Sequence, residues 1–443
     1  MGMIAKRIWL FLIVFPVQPA CADPLSIERV NVNPSTSNQA DGPSDAPSLS
    51  ADGNVVAFVS ASTTLADPGF GLSAASPAQI YAYDRNKKSL ELVSVNADAT
   101  EASDGPCSSP QVSADGLLVA FLCSATNLPK SGTNAGANTI YIHDRSGGTT
   151  VIPIAQWPAT PPALTGVTNP TFLHRYMSGD GARLTFEFTG GLVLPDALYL
   201  DQSVASSKLF NVCTAGLCRS PQISSDGSHI AVASFAALDG GDSNGRLDVY
   251  VYDVAADAIT LASVNEDKSQ GNDDVSLSDL ALSGDGTFVA FSSGDAINFA
   301  GSNSPNTLLV RDVSSGTLTI ASNNGGGAAL AVSFPRPVLS DKGAVLAFTS
   351  DNTALAPHPN KPPNDALVRD MKAQLVRSMC RSRSGSYGNN TCSSATVSAD
   401  GNWGAFSASA DNLVPDDTNV LADIFVVSLD VLFEDVFADG FDP

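Results

Sequence analysis

The sequence Ser-Ala-Asp-Gly-Asn-Val-Val-Ala-Phe occupies residues 50–58, and Ser-Ala-Asp-Gly-Leu-Leu-Val-Ala-Phe follows at residues 113–121. The same Ser-x-Asp-Gly turn motif before an apolar run occurs six times, and a degenerate seventh copy has Lys in place of Asp. The copies begin at Ser50, Ser113, Ser178, Ser224, Ser283, Ser340 and Ser398. A catalytic residue is needed once, whereas a turn residue is needed in every unit, so the motif indicates a structural repeat.

Each repeat contains four patterns typical of short β-strands. The apolar run after the turn is followed by a polar loop, by a second run such as residues 80–84 or 249–253, and by a closing segment such as residues 92–96. β-Branched and aromatic runs between turn residues favour strands, and Asp-Gly supplies the positive φ of a tight hairpin. Four strands repeated seven times predict an all-β fold, a seven-bladed β-propeller with four-stranded blades.

The two ends of the chain complement each other. The last repeat has only three strand patterns, the third at residues 423–427, and residues 27–32 resemble the missing closing strand. We therefore expect the N-terminal strand to complete the last blade, which would remove exposed sheet edges.

These motifs resemble those of a known group. Ser-Ala-Asp-Gly before an Ala-Phe strand, with Asn-Leu-Val-Pro-Asp-Asp-Thr-Asn at residues 412–419 and Asp-Ile-Phe-Val at 423–426, is similar to bacterial exported WD-repeat-like propellers of the TolB type. The resemblance covers residues 25–430 and implies a periplasmic or secreted binding platform. The third repeat, with a short loop at residues 190–195, and the sixth, without the motif Asp, depart from the pattern.

The N-terminus predicts export. Lys6 and Arg7 precede an apolar stretch at residues 8–17, and Ala20-Cys21-Ala22 provides a cleavage site, so residues 1–22 read as a signal peptide. A lipoprotein cysteine at Cys21 is the alternative, although an aliphatic residue three positions before it is lacking.

Three domains follow from these patterns: the signal peptide at residues 1–22, the propeller at 23–430 and a C-terminal tail at 431–443. No later stretch has 18 consecutive apolar residues, so we expect no membrane span. We expect the mature protein to be a monomer in the periplasm or outside the cell.

Six cysteines remain after the signal peptide. Three of them stand six residues before a motif serine, and each has one plausible partner, which gives the pairs Cys107–Cys123, Cys213–Cys218 and Cys380–Cys392. Disulfides suit an oxidising compartment. A metal site is the alternative, but no Cys-x-x-Cys pair or neighbouring histidines support it.

Charge excludes one class of partner. The 443 residues carry a formal net charge of −22, with a pI near 4.3, which argues against binding to nucleic acid or to an anionic membrane. We instead expect a protein or glycan of the bacterial envelope as the partner, bound by the variable loops of a rigid scaffold.

The acidic loops contain candidate calcium ligands. The spacings Asp242-x-Asn244-x-x-x-Asp248 and Asp417-x-Asn419-x-x-x-Asp423 place clustered oxygen ligands before a strand, which favours calcium. The alternative is a solvated turn stabilised by Asp and Asn. The four histidines lie far apart in sequence, so no catalytic set is evident.

The sequence therefore predicts an exported, non-catalytic binding scaffold. The alternative is a propeller-type glycosidase or polysaccharide lyase that uses acidic residues around the channel. A structural surface protein that self-associates is a third class.

Overall fold

The protein is described by a computed structural model. It covers residues 25–129, 139–151, 175–188, 196–201, 208–213, 218–294, 306–325, 328–333, 335–357 and 362–434. The predicted signal peptide and most of the predicted tail lie outside these ranges.

Twenty-seven short strands in these ranges form antiparallel sheets, numbered here by the motif copy that each contains. The first strand is β1 (Ile27–Arg29). Sheet 1 comprises β2 (Ser44–Leu49), β3 (Val55–Ser60), β4 (Gln79–Asp84) and β5 (Ser89–Leu92), with a 3-10 turn at Pro68–Phe70. Sheet 2 comprises β6 (Cys107–Val112), β7 (Leu118–Cys123), β8 (Thr139–Asp144) and β9 (Thr149–Val151). Sheet 3 comprises β10 (Arg183–Phe188), β11 (Asp196–Asp201) and β12 (Lys208–Asn211).

The second half of the chain repeats this order. Sheet 4 comprises β13 (Cys218–Ile223), β14 (His229–Ser234), β15 (Asp248–Asp253) and β16 (Ala258–Leu261). Sheet 5 comprises β17 (Ala281–Leu282), β18 (Phe288–Ser293), β19 (Thr307–Asp312) and β20 (Leu318–Ile320). Sheet 6 comprises β21 (Val338–Leu339), β22 (Val345–Ser350), β23 (Asp365–Asp370) and β24 (Leu375–Ser378). Sheet 7 comprises β25 (Cys392–Val397), β26 (Trp403–Ala408), β27 (Asp423–Ser428) and β1, and α1 (Leu429–Glu434) follows β27.

The prediction of seven four-stranded blades is wrong. In the described ranges, the β-propeller has six four-stranded blades, and the third repeat forms a sheet of three strands. The segment before its motif makes one isolated bridge, Met177 to Leu184. The backbone N–H groups of Tyr176 and Met177 donate to the Gln111 side chain in sheet 2, and that of Arg175 donates to the Gln222 side chain in sheet 4. The segment also bonds to β10, since Thr185 N donates to Tyr176 O at 2.8 Å and Ser178 N donates to Arg183 O at 2.9 Å, but this pairing is too short to form a fourth strand.

The N-terminal strand completes the last sheet, as the sequence predicts. Strand β1 pairs antiparallel with β27, so that Ile27 lies opposite Val427 and Arg29 lies opposite Phe425. Glu28 on this strand forms ion pairs with Arg85 and Lys88 of sheet 1.

The core lies between successive sheets. In one such layer, Val55 and Ala57 of sheet 1 pack with Val119 and Phe121 of sheet 2. The Phe of the Ala-Phe motif is fully buried at residues 58, 121, 291, 348 and 406. Because a sheet between two others is covered on both faces, its second strand is an apolar run and not an alternating pattern, as in β3 and β7.

The motif turns form a closed ring of backbone hydrogen bonds around the central channel. The bonds are Ala51 N to Ala114 O, Ala114 N to Gly179 O, Gly179 N to Ser225 O, Asp226 N to Gly284 O, Asp285 N to Asp341 O, Asp341 N to Ala399 O and Asp400 N to Ala51 O. The ring fixes the positions of the first strands, which line the channel.

No helix in the described part of the chain is long and apolar enough to cross a membrane.

Candidate functional site

The motif serines and aspartates are engaged in the turns themselves. In the first copy, Ser50 Oγ donates to Asp52 Oδ1 at 2.7 Å, and the backbone N–H groups of Asn54 and Val55 donate to Asp52 and Ser50. The Ser–Asp bond recurs in the other copies that carry the Asp. These side chains therefore stabilise hairpins.

A pocket of about 300 Å³ lies in the channel and extends to the turn ring. It is lined by first-strand residues of several sheets and by turn residues such as Ala51, Ala114 and Ala399. Among the described residues, those that line it include two charged side chains, and both are arginines, Arg175 and Arg336. The whole chain carries 45 acidic residues against 23 basic ones, so cationic side chains at this pocket depart from the overall charge of the protein.

A repeated backbone bulge shapes the wall of the channel. Four residues before the motif serine, five sheets place a non-glycine residue at positive φ, between 42° and 53°. These residues are Ala46, Ser109, Ser220, Arg336 and Ser394. Left-handed backbone is costly for such residues and persists only where the surroundings impose it. The ladder register of sheets 1, 2, 4 and 7 shifts at this bulge.

Arg175 reaches from the third repeat to the sixth. Its Nη1 lies 3.4 Å from Asp341 Oδ1, and its Nη2 donates to the Leu339 carbonyl at 3.4 Å. The side chain is 16% exposed, and this burial lowers the pKa of its guanidinium while Asp341 opposes the effect. Arg175 remains a cation at neutral pH.

Arg336 is the freer of the two arginines. It stands between Pro335 and Pro337, which limit the conformations of its backbone. Its backbone N–H donates to Asp279 Oδ1 at 3.4 Å. The residue is exposed, and its guanidinium forms no ion pair within the described ranges. Its five N–H donors are available for a carboxylate or phosphate, which a guanidinium binds in bidentate fashion.

The first predicted calcium loop lies before β15. Asp248 is 1% exposed; its Oδ1 accepts from Ser263 Oγ at 2.5 Å, and its Oδ2 has no hydrogen-bond partner. Burial raises the pKa of Asp248 to about 6, hydrogen bonds from Ser263 and Asn244 oppose this shift, and the carboxylates of Asp242 and Asp274 add to it. Asn244 is a turn residue: its Oδ1 accepts from Arg246 N, and its Nδ2 donates to Gly271 O.

The second predicted calcium loop contains its own cation. Arg29 Nη1 lies 3.4 Å from Asp417 Oδ1 and 3.4 Å from Asp423 Oδ2. Asn419 repeats the role of Asn244, because its Oδ1 accepts from Leu421 N and its Nδ2 donates to Ala40 O. Across the part of the chain that the structure describes, no group of three or more His, Cys, Asp or Glu side chains is placed to hold a metal ion.

Three disulfides join the predicted pairs, Cys107–Cys123, Cys213–Cys218 and Cys380–Cys392. The first is a cross-strand pair in the β6–β7 hairpin. Such cross-links are typical of oxidising compartments.

Two histidines are described, and both contact neighbouring side chains. His143 in β8 is 1% exposed; its Nδ1 lies 2.9 Å from Thr150 Oγ1, and its Nε2 lies 3.0 Å from Glu91 Oε1. Arg145 contacts the other oxygen of Glu91. Tyr83 and Arg85 repeat this contact with Glu28, so His143 belongs to an inter-sheet contact.

The sequence did not identify the pocket arginines as binding residues. It favoured the variable loops, which include the long loops after the second strands. Parts of those loops, at residues 130–138, 295–305 and 358–361, lie outside the described ranges. A signal for the arginines was present: Arg175 stands where four copies have proline (residues 47, 110, 221 and 337), and Arg336 stands where three copies have serine. Departures from a repeat mark positions that the repeat alone does not explain.

Comparison with known proteins shows a similarity of fold. No family model and no curated protein matches the chain. The match to an oligogalacturonate lyase from Vibrio parahaemolyticus covers 91% of this chain and 97% of the lyase, at 10% identity and a TM-score of 0.52. The match to a second structure, an oligogalacturonate lyase in complex with manganese, covers 91% of this chain and 96% of that lyase, at 11% identity and a TM-score of 0.51. The fold is similar to that of these lyases.

TolB from Acinetobacter baumannii also matches, at 15% identity and a TM-score of 0.41, over 68% of this chain. The match spans 58% of that TolB, which is less than two thirds of its length. At these identities, the likeness to the lyases shows a shared β-propeller fold.

Proposed function

We propose that the protein is an exported, non-catalytic binding scaffold, and that an anionic group of its protein or glycan ligand enters the channel pocket. The observation that carries the proposal is the charge of the pocket, because both charged lining residues are arginines in a chain of net charge −22. In a protein of such net charge, a cationic pocket is a favoured place for an anion.

The geometry of Arg336 supports binding. The flanking prolines limit the backbone beneath the exposed guanidinium, and no ion pair among the described residues has to be broken before a carboxylate docks on it. Arg175 is partly neutralised by Asp341, and we assign it the second contact at the base of the pocket. Export is supported by the three disulfides.

The experiment compares acidic and neutral ligands of matched size. Oligogalacturonate, a neutral oligosaccharide of the same length and an acidic peptide are titrated calorimetrically into the wild type and into Arg336→Ser. Serine is suited to this backbone, because Ser109, Ser220 and Ser394 occupy the same bulge position. Arg383→Ser, at an exposed arginine outside the pocket, is the control of equal charge.

We expect an acidic ligand to bind, to be recovered intact and to lose about tenfold or more in affinity in Arg336→Ser, since a hydrogen bond to a charged group contributes about 1.5–3 kcal/mol. Arg383→Ser should bind like the wild type. Shortened sugars with unsaturated ends would instead establish the lyase. Equal affinity for the neutral and acidic ligands would contradict the proposal.

A further inference from the structure

Val420 combines an exposed apolar side chain with a costly backbone conformation. It lies in the loop before β27 and is 66% exposed, more than the other exposed large apolar residues of the described ranges. Its φ is 55°, in the left-handed region. Thirteen non-glycine residues in these ranges have positive φ, and among them Val420 alone has a branched Cβ. Because a β-branched residue is a true outlier in this region, its presence calls for a compensating role.

The corresponding loop of sheet 4 shows that the turn itself does not require valine. Asn244 and Asn419 each accept a hydrogen bond at Oδ1 from the backbone two residues later, and each donates from Nδ2 to a backbone carbonyl. The residue that follows the asparagine is Gly245 in sheet 4, at φ 67°, and Val420 in sheet 7. Glycine adopts this conformation without steric cost, so the same turn forms with less strain in sheet 4.

Packing inside the molecule does not explain the valine. Val420 belongs to none of the apolar clusters that the described residues form, whereas Leu413 and Val414 of the same loop pack in the cluster of sheet 7. A side chain with most of its surface in water gains little from burial. The strain at Val420 is therefore not offset by contacts within this part of the chain.

The loop of Val420 is hydrogen-bonded to the segment that enters β2. Asn419 Nδ2 donates to Ala40 O at 2.8 Å, and Ser44 N donates to Ala422 O at 2.7 Å. Val420 lies between these two contacts in sequence, so its loop runs beside the start of β2.

The start of β2 lies at the end of the channel pocket that is away from the turn ring. Two residues after Ser44, Ala46 lines this pocket. Ala46 and Arg336 each precede a motif serine by four residues, so they stand at the same level of the channel. The exposed guanidinium and the exposed valine are thus on the same end of the propeller, where a ligand would enter the pocket.

We propose that Val420 is the apolar contact of a polypeptide ligand whose anionic group binds Arg336. The inference rests on the proposed function and narrows its ligand from a protein or glycan to a polypeptide. An aliphatic side chain gains free energy when it is covered by another apolar side chain, and a sugar offers mostly hydroxyl groups instead. Contact with the ligand then offsets the strain that the free protein carries.

Two short peptides of equal length and charge test the proposal. The first has leucine residues beside its glutamates, and the second has serine in place of each leucine. Both peptides and oligogalacturonate are titrated calorimetrically into the wild type, Val420→Gly, Gly245→Val and Arg336→Ser. The melting temperature of each protein is measured without ligand.

Val420→Gly should separate binding from stability. The wild type should bind the leucine peptide about tenfold more tightly than the serine peptide. Val420→Gly should lose this preference and melt about 1–3 °C higher, because glycine relieves the strain. Gly245→Val is the reverse exchange in the matching turn, where an added Cβ meets nothing within 4 Å. It should melt at a lower temperature and bind both peptides like the wild type.

Arg336→Ser distinguishes this inference from the proposed function, because it should weaken both peptides and keep the preference for leucine. If Arg336→Ser weakens the peptides but Val420→Gly binds them as the wild type does, the role of Val420 is overturned and the anion pocket stands. Binding of oligogalacturonate but of neither peptide would likewise overturn the polypeptide ligand alone. Wild-type affinity in Arg336→Ser would overturn the proposed function and this inference together. A Val420→Gly variant that melts lower and binds normally would show that the valine is structural.

Discussion

At Gly284, the absence of a side chain allows two motif turns to approach each other. A Cβ at this position would lie 1.7 Å from Asp341 Oδ1, the atom that contacts Arg175. The turn ring and the base of the channel pocket therefore depend on the absence of a side chain at Gly284.

We predict that Gly284→Ala destabilises the protein by about 1–3 kcal/mol, because the added methyl group must displace the Asp341 carboxylate. Chemical denaturation measures the loss. Gly240→Ala is the matched control, since an added Cβ there meets nothing within 4 Å. Equal stability of the two variants would show that Asp341 moves away at no cost.

At the scale of elements, the outer strands are joined by carboxylates that receive two partners from the next sheet. Glu91 on β5 contacts His143 and Arg145, and Glu28 on β1 contacts Tyr83 and Arg85. Burial alone would raise the pKa of Glu91, but the hydrogen bonds from His143 and Arg145 outweigh it and hold this pKa below its usual value.

A lowered pKa gives a stability contribution with a defined pH window. Glu91 stabilises the fold above its unfolded-state pKa, near 4.5, and the contribution is lost as the pH falls through the lower folded-state pKa. Because the side chain is 33% exposed, solvent screening limits the effect.

We therefore expect Glu91→Gln to lose about 1 kcal/mol of unfolding free energy at pH 7 and progressively less below pH 4. Urea denaturation across this pH range gives the difference. Glu101→Gln, at an exposed carboxylate without an ion pair among the described residues, should match the wild type throughout. A difference between Glu91→Gln and wild type that is constant with pH would rule out ionisation as its cause.

For the whole molecule, closure depends on contacts between the two ends of the chain. Arg29 and Asp423 are 394 residues apart in sequence and meet in sheet 7. Arg85 of sheet 1 stacks on the Trp403 ring at 3.9 Å and also pairs with Glu28 of β1. Neighbouring sheets on both sides of the closure therefore share one network of side chains.

The repeat explains which parts of this arrangement the sequence could predict. Strand positions, the role of β1 and the cysteine pairs follow from comparing copies, because equivalent residues must occupy equivalent places. The three-stranded sheet 3 did not follow from the repeat, since its first segment, in the described residues, makes a single bridge to β10 and also donates to Gln111 and Gln222 of other sheets. Arg175 and Arg336 converge only when the ring closes, and the pairing of Arg29 with Asp417 is equally non-local.

The most direct test of the binding proposal uses the ligands of the natural envelope. Wild type, Arg336→Ser and Arg383→Ser are immobilised, exposed to envelope extract of the host and washed, and the retained protein and glycan are identified by mass spectrometry. The proposal predicts one ligand that wild type and Arg383→Ser retain intact, that salt releases and that Arg336→Ser loses. Equal retention by Arg336→Ser, or recovery of cleavage products alone, would contradict it.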